Sequence, residues 1–205
     1  MILSTEQGFA FWAAQGTILR GWALAEQGQR EEGIAQMRQG LDAYQATGAE
    51  IIRPYFLALL AEAYGKVEQA EEGLSVLAEA LDVVHNNGER EYEAELYRLK
   101  GTLTLKQSGV RSPESEVPST QPPTPSPQAE AEAEACFHKA IEIARRQSAK
   151  SLELRAVMSL GRLWQQQGKK EDARELLAEI YGWFTEGFDT KDLQETKTLL
   201  AELGQ

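Results

Sequence analysis

Residues 21–40 read GWALAEQGQREEGIAQMRQG, and the spacing of the glycines at positions 21, 33 and 40 decides the fold. Small residues recur in the same order further along the chain, at Ala61, Gly73 and Ala80, at Gly101, Ala133 and Ala140, and at Gly161 and Ala173. The first members are 40 residues apart, once an insert of about 20 residues after Gly101 is left out. Paired helices can pack with their axes about 8–10 Å apart only where the facing side chains are small. The repeat therefore predicts four helix hairpins.

The composition agrees with a helical, folded, cytoplasmic protein. The 205 residues are 42% hydrophobic and 26% charged, which is typical of a globular chain. With 21 Lys and Arg against 32 Asp and Glu, the net charge is -11, which disfavours binding to nucleic acid. The single cysteine excludes an internal disulfide and suits a reducing compartment. No apolar run approaches the roughly 20 residues that cross a bilayer, so we expect no membrane association.

We expect an all-α fold, a right-handed α–α superhelix of four long helix hairpins plus a C-terminal capping helix, as one domain over residues 1–205. The repeats are expected at about 9–48, 49–88, 89–147 and 149–187, with the capping helix at 189–203. The first helices of the hairpins are predicted near 5–27, 50–66, 89–107 and 149–167. The second helices are predicted near 29–47, 68–86, 128–147 and 169–185, and a ninth near 190–203.

A proline-rich insert at 108–128 interrupts the third repeat, and it holds six of the seven prolines of the chain. Its composition predicts disorder, either as a surface loop or as a docking site for a proline-reading module. Near the N-terminus, Phe9, Phe11 and Trp12 precede the first small residue, with no earlier helix to cover them. Either the chain is part of a longer protein, or this open end docks on a partner.

The sequence offers no constellation for catalysis. The two histidines, His85 and His138, are far apart and are not spaced as zinc ligands. Cys136 and His138 are two residues apart on a predicted helix, so their side chains point in different directions. No glycine-rich phosphate-binding motif is present. We therefore expect no catalytic residue, no cofactor and no metal, and a protein that is not an enzyme.

The spacing of the small residues resembles the tetratricopeptide repeat (TPR), although the period is 40 rather than 34 and the closing proline is missing. Longer stretches resemble the C-terminal end of large bacterial multidomain signalling proteins, namely YEAELYRLKG at 92–101, AKSLELRA at 149–156 and YGWFTEGFDTKDLQE at 181–195. In that family an AAA/STAND-type ATPase, often fused to a nucleotidyl cyclase or kinase domain, precedes a TPR-like tail. The resemblance implies that this chain is the tail, without the residues of the enzymatic domains.

In TPR-like arrays, residues that flank the first small position of each hairpin line a concave groove. Carried onto this sequence, the candidate groove residues are Trp22, Glu26, Tyr55, Glu62, Lys66, Arg98, Lys106, Arg155, Arg162 and Gln166. Ile18, Ala58 and Met158, three residues before a small position, are expected to line it as well. The groove is mixed and aromatic at its N-terminal end and basic at its C-terminal end, which favours an acidic peptide. Alternatively, the arginines pair with neighbouring glutamates.

The function expected from these features is a non-enzymatic scaffold that binds protein or peptide. By the resemblance, it is the C-terminal interaction or regulatory region of a larger signalling ATPase or cyclase, and neighbouring domains of the same polypeptide are among its partners. The alternative is a small-molecule sensor with a pocket in the groove, lined by Trp22 and Tyr55.

Overall fold

The computed structural model describes residues 9–109 and 125–204, which form nine α-helices and no strand. The first hairpin is α1 (Ala10–Glu26) with α2 (Arg30–Ala46), and the second is α3 (Arg53–Lys66) with α4 (Ala70–Asn87). The third is α5 (Glu93–Gly109) with α6 (Pro127–Arg146), and the fourth is α7 (Lys150–Gln166) with α8 (Lys170–Tyr181). The last helix is α9 (Lys191–Leu203). None of the helices in these two ranges is both long and apolar enough to cross a membrane.

Two expectations concern parts of the chain that lie outside the described residues. The first turn of the first helix, expected from residue 5, falls in residues 1–8. Most of the proline-rich insert, residues 110–124, falls in the second such range. The flanks of the expected insert are helical, because α5 runs to Gly109 and α6 begins at Pro127.

Helix α3 begins three residues later than expected, and the backbone at Ile52 gives the reason. Ile52 has a φ of 58°, in the left-handed region, so a right-handed helix cannot pass through it. Pro54 lies in the first turn of α3, where its missing N–H leaves no helical hydrogen bond unmade. The residues before Arg53 therefore form a turn instead of helix.

In the first hairpin, glycines allow the backbones of α1 and α2 to touch. A Cβ atom built on Gly21 would lie 2.7 Å from the carbonyl oxygen of Gly33 and 2.7 Å from the backbone nitrogen of Met37. One built on Gly40 would lie 2.8 Å from the backbone nitrogen of Ile18. Contacts this short with backbone atoms exclude any side chain, so the spacing read from residues 21–40 reflects close helix packing.

The third and fourth hairpins, whose first small residue is also a glycine, differ from each other. A Cβ on Gly101 would lie 2.7 Å from a ring carbon of Phe137 and 3.0 Å from the carbonyl oxygen of Ala133, so α5 and α6 also approach closely. At Gly161 the nearest atom to a Cβ is a methyl of Leu199 in α9, at 3.8 Å. Gly161 was expected to admit the partner helix of its own hairpin, and the structure gives it room for a methyl group instead.

The turns between helices repeat one backbone conformation. Left-handed φ angles occur at Gly28 (93°), Glu68 (62°) and Gly168 (80°), which end the first helix of a hairpin, and at Gly48 (75°), Gly88 (75°) and Ser148 (57°), which end the second. In four of these turns the N–H of the next residue donates to the carbonyl five residues earlier, at 2.8 to 3.1 Å, from Gln29 to Leu24, Gln69 to Tyr64, Ala149 to Ala144 and Lys169 to Trp164. This pattern satisfies carbonyls at the helix ends.

The chain divides into two compact units, unit 1 up to Tyr92 and unit 2 from Glu93. In unit 1 the largest fully buried side chains are Ile18, Met37, Tyr44, Phe56 and Leu77. In unit 2 a core cluster joins α6, α7, α8 and α9, and α9 contributes Leu193, Leu199 and Leu203 to it. Helix α9 is thus held to unit 2 by buried leucines.

Candidate functional site

The candidate site in unit 2 is an open cleft between α5 and α7, with a volume of about 360 Å³. We call it the α5–α7 cleft. Four of the groove residues expected from the sequence line it, namely Arg98, Lys106, Arg162 and Gln166. Its remaining lining residues are polar or apolar without charge, namely Thr102, Leu105, Gly109, Pro125, Phe137, Ser159 and Leu163. Three cations and no carboxylate therefore line a cleft in a chain of net charge -11.

Helical periodicity places the lining side chains of α5 on one face of that helix, and those of α7 on one face of the other. On α5, Arg98, Thr102 and Lys106 follow one another at intervals of four residues, so they lie on one face. On α7, Arg162 and Gln166 have the same interval. The buried ring of Phe137, in α6, belongs to the apolar part of the lining. The arrangement can hold an extended or helical segment by charge and by apolar contact.

Arg98 and Arg155 share one buried carboxylate, that of Glu95. The carboxylate accepts from Arg98 Nε at 2.8 Å and Nη2 at 2.7 Å, and from Arg155 Nη1 at 2.9 Å. Arg155 also lies 3.6 Å from Asp192 of α9. Burial alone would raise the pKa of Glu95, but the hydrogen bonds and charge of Arg98 and the charge of Arg155 outweigh it and lower that pKa. For these two arginines, the geometry is the pairing with neighbouring glutamates that the sequence left as an alternative.

Arg162 is paired more loosely. Its Nη2 lies 3.0 Å from Glu195 of α9, and the two side chains are 51% and 39% exposed. Exposed pairs of this kind contribute only about 0–1 kcal/mol, so a ligand carboxylate can replace Glu195 at little cost. Lys106 is exposed as well. Of the three cations in the cleft, Arg162 and Lys106 are therefore the more exposed ones, whereas Arg98 is mostly buried.

A second cleft in unit 2, of about 500 Å³, lies between α7 and α9. Arg162 and Gln166 line both clefts, so these two side chains stand on the ridge between them. The walls of this second cleft are mostly polar and carry both signs of charge, including Lys191, Glu195 and Glu202. It is less selective for an acidic ligand than the α5–α7 cleft, because carboxylates line it.

In unit 1 the structure brings together three of the expected groove residues. Lys66 of α3 pairs with Glu26 of α1 and lies 3.5 Å from Glu62. Trp22, one turn before Glu26, is 37% exposed. Tyr55 is placed differently, since its ring packs 4.7 Å from that of Tyr92. A third cleft, of about 270 Å³, lies in unit 1 beside Arg38 and Arg53. Neither Trp22 nor Tyr55 lines any of these three clefts, so none of them is the pocket of the small-molecule alternative.

Three residues expected to line the groove are instead buried. Ile18 is 0% exposed, and Ala58 and Met158 are each 4% exposed. Each precedes a small residue by three positions, and three residues along a helix lie only about 60° apart around its axis. They therefore share the packed face of the small residue. Trp12, which the sequence leaves without a covering helix, is 61% exposed, and sequence reasoning missed Leu19, which is 42% exposed.

His138 and Cys136, which the sequence singles out, have ordinary helical surroundings. Glu134 accepts a hydrogen bond from Trp164 Nε1 at 2.8 Å and lies 3.8 Å from His138. Burial, with a smaller contribution from the charge of Glu132, raises the pKa of the Cys136 thiol, although Lys100 opposes it. Within residues 9–109 and 125–204, no group of three or more His, Cys, Asp and Glu side chains is arranged to hold a metal ion.

The comparisons with known proteins place this geometry in a recognised fold. No protein-family model matches the sequence, and no curated protein matches it. A crystal structure of a kinesin light chain-like protein with nearly identical TPR-like repeats, from Podospora anserina, has a TM-score of 0.62 and 16% identity, and a single-residue variant of that protein has 0.64 and 14%. Both alignments cover 92% of this chain and 84% of the other. The all-α, TPR-like solenoid expected from the sequence is confirmed as the fold class.

Proposed function

We propose that this protein is a non-catalytic interaction scaffold whose α5–α7 cleft binds an acidic segment of a partner protein. The observation that carries the proposal is the charge of the cleft, which is lined by Arg98, Lys106 and Arg162 and by no carboxylate. A cationic cleft within an acidic molecule concentrates the electrostatic attraction for an anionic ligand in one place. Helical repeats provide the extended surface that such a segment needs.

The chemistry of the lining indicates more about the ligand. Leu105, Phe137 and Leu163 give the cleft apolar contacts beside its cations. A segment that carries apolar side chains between carboxylates satisfies both parts of the lining. Phe137 and Leu163 are only 1% and 2% exposed, so the apolar surface that a ligand can cover is mainly that of the half-buried Leu105.

The test is a calorimetric titration with a synthetic 12-residue peptide in which four glutamates flank a central Leu-Phe pair. The substituted protein carries Lys106→Gln and Arg162→Gln, because Arg98 is required to neutralise the buried Glu95. We expect the double variant to bind the peptide at least tenfold more weakly than the wild type. We also expect the wild-type affinity to fall between 50 and 300 mM salt, because salt screens exposed charges.

Matched controls separate the cleft from total charge. Lys139→Gln with Arg174→Gln removes two exposed cations from α6 and α8 of the same unit, outside the α5–α7 cleft, and should bind as the wild type does. A peptide with glutamine in place of glutamate should bind at least tenfold more weakly to the wild type. Equal affinities of the two double variants for the acidic peptide would refute the proposal.

We further propose that the chain acts in the cytoplasm, as the interaction or regulatory region of a larger signalling ATPase or cyclase. The support is the resemblance of residues 92–101, 149–156 and 181–195 to the end of such proteins. The reading frame upstream of the codon for Met1 tests it, since a continuous frame coding for an ATPase is expected there. A stop codon in frame directly upstream would contradict it.

A further inference from the structure

We infer that unit 1 carries a second docking surface, on α1, for a basic amphipathic helix of a partner protein. The surface consists of Trp12, Leu19 and Trp22, which we call the apolar stripe. The inference rests on the proposed protein-binding function, but it concerns a different unit and a ligand of opposite charge from that of the α5–α7 cleft.

The side chains of the apolar stripe lie on one side of α1, with the polar Gln15 on the same side between Trp12 and Leu19. Trp12, Leu19 and Trp22 are 61%, 42% and 37% exposed. At 100° per residue they fall within an arc of about 80° around α1, and they extend over about 15 Å along its axis. Phe9, directly before the helix and 54% exposed, continues the apolar surface at its N-terminal end. Three large apolar side chains exposed on one side of a helix favour an interaction site there.

The stripe is separate from the face of α1 that holds the hairpin together. That other face consists of Ala14, Ile18, Gly21 and Ala25, all of them buried. The fully buried face of α1 therefore does not include the two tryptophans, and because Trp22 is only 37% exposed, the folding of each variant is checked. Tryptophan is also the residue most enriched where binding energy is concentrated at protein interfaces.

The length and straightness of the stripe favour a helical ligand. An amphipathic helix presents apolar side chains at intervals of three or four residues along one face. Over a contact of about 15 Å, such a helix places three or four of them. Helix-in-groove recognition uses this arrangement of anchors.

The charges around the apolar stripe favour a positively charged ligand. Between residues 10 and 26, α1 carries only Arg20 and Glu26, so the stripe itself is nearly uncharged. At its C-terminal end, the carboxylates of Glu26 and Glu62 share the single ammonium group of Lys66. Residues 9–92 as a whole have six Lys and Arg against thirteen Asp and Glu. A partner with Lys or Arg beside its apolar face complements this surface, whereas a second copy of unit 1 would add like charge.

The test uses a synthetic 16-residue helix with leucines on one face and lysines flanking them, titrated into the full chain by calorimetry. We expect Leu19→Gln with Trp22→Gln to weaken binding at least tenfold. Trp183→Gln is the matched control, because Trp183 is 58% exposed but lies in unit 2, and it should bind as the wild type does. A peptide with glutamates in place of the lysines should bind at least tenfold more weakly to the wild type.

Several outcomes would overturn the inference. Two concern the peptides, namely equal affinity of the stripe variant and the wild type, and tighter binding of the glutamate peptide. Two concern other occupants of the stripe, namely a dimer in sedimentation equilibrium that the stripe variant abolishes, and flotation with phosphatidylcholine–phosphatidylserine vesicles that the variant abolishes. Circular dichroism verifies that the variant is folded, and Trp12→Gln provides a second, single substitution in the stripe. If the α5–α7 cleft binds the acidic peptide while the stripe binds nothing, only the present inference fails. If neither surface binds its peptide, the proposed function fails too.

Discussion

At the scale of single residues, Gly21 and Gly161 occupy equivalent positions of the repeat but have different surroundings. A Cβ on Gly21 would meet two backbone atoms of α2 at 2.7 Å, and backbone cannot move aside as a side chain can. We expect Gly21→Ala to lower the free energy of unfolding by about 1–3 kcal/mol, the usual cost of overpacking. Urea unfolding followed by circular dichroism measures it. A variant as stable as the wild type would show that the two helices can separate freely.

Gly161→Ala should have the opposite sign. The nearest atom to the new methyl group would be Leu199 Cδ2 at 3.8 Å, an ordinary van der Waals distance. Alanine in a helix interior is more favourable than glycine by roughly 0.5–1 kcal/mol. The same urea titration should therefore show a variant that is more stable than the wild type by about that amount. A loss of stability above 1 kcal/mol would mean that Gly161 is packed as tightly as Gly21.

At the scale of elements, one turn of the repeat has a glutamate where the equivalent turns have glycine. Glu68 stands at the position that Gly28 and Gly168 occupy in the equivalent turns, and it has the same left-handed φ. A residue with a Cβ adopts this conformation at a cost of roughly 1–2 kcal/mol. We expect Glu68→Gly to raise the free energy of unfolding by about 1 kcal/mol.

Two further variants control this prediction. Glu68→Ala removes the carboxylate but keeps the Cβ, so it should gain much less than Glu68→Gly. Gly28→Ala places a Cβ in the turn after α1 and should lose about 1 kcal/mol. Equal thermal midpoints for Glu68→Gly and Glu68→Ala would attribute the effect to charge rather than to backbone strain.

The Arg98–Glu95–Arg155 contact joins α5 to α7, and it predicts how unit 2 responds to acid. The lowered pKa of Glu95 means that the unfolded chain, with a glutamate pKa near 4.3, takes up this proton before the folded chain does. The stability that Glu95 contributes is therefore complete at a pH above its unfolded pKa, and it is lost as the pH falls through its lower folded pKa. Glu153, between Arg145 and Lys150, has a pKa lowered in the same way, since these partners outweigh the opposing effect of burial.

We expect the free energy of unfolding to fall between about pH 5 and pH 3, and to fall less steeply in Glu95→Gln. The variant should also be less stable at pH 6, on the order of 3 kcal/mol, because two guanidinium groups lose their shared carboxylate. Urea titrations at several pH values measure both effects. Identical pH dependence in the variant and the wild type would rule out Glu95 as a contributor to the acid sensitivity.

At the scale of the whole molecule, the sequence predicts the fold well because one physical requirement repeats. The close approach of paired helices needs small residues, and this need is visible at Gly21, Gly33 and Gly40 without any coordinates. Residues outside the helices are harder to predict. The turn at Ile52 delays α3, and nothing in the hydrophobic pattern reveals a left-handed β-branched residue.

The candidate sites divide in the same way. Arg98, Lys106, Arg162 and Gln166 follow the phase set by the small residues, and the structure places them along one cleft. Ile18 and Arg98 both stand three positions before a small residue, about 60° from it around the helix, and there the apolar Ile18 is buried whereas the longer Arg98 reaches the edge of the cleft. Leu19 lies about 160° from Gly21 and faces solvent. The pair of Arg98 and Glu95 is three residues apart on α5 and follows from spacing, whereas the contact of Arg155 with the same carboxylate depends on tertiary packing.

The placement of the four tryptophans gives the protein an optical reporter of its own. Trp12, Trp22 and Trp183 are exposed, and only Trp164 is half-buried, with its indole N–H bonded to Glu134. The folded chain should therefore emit near the wavelength of indole in water, and its emission should move little on denaturation. A ligand that covers α1 would take two of the four indoles out of water at once. A blue shift on mixing, without any label, would thus report that a ligand covers exposed indoles, and its absence in a variant with Trp12→Gln and Trp22→Gln would assign the ligand to α1.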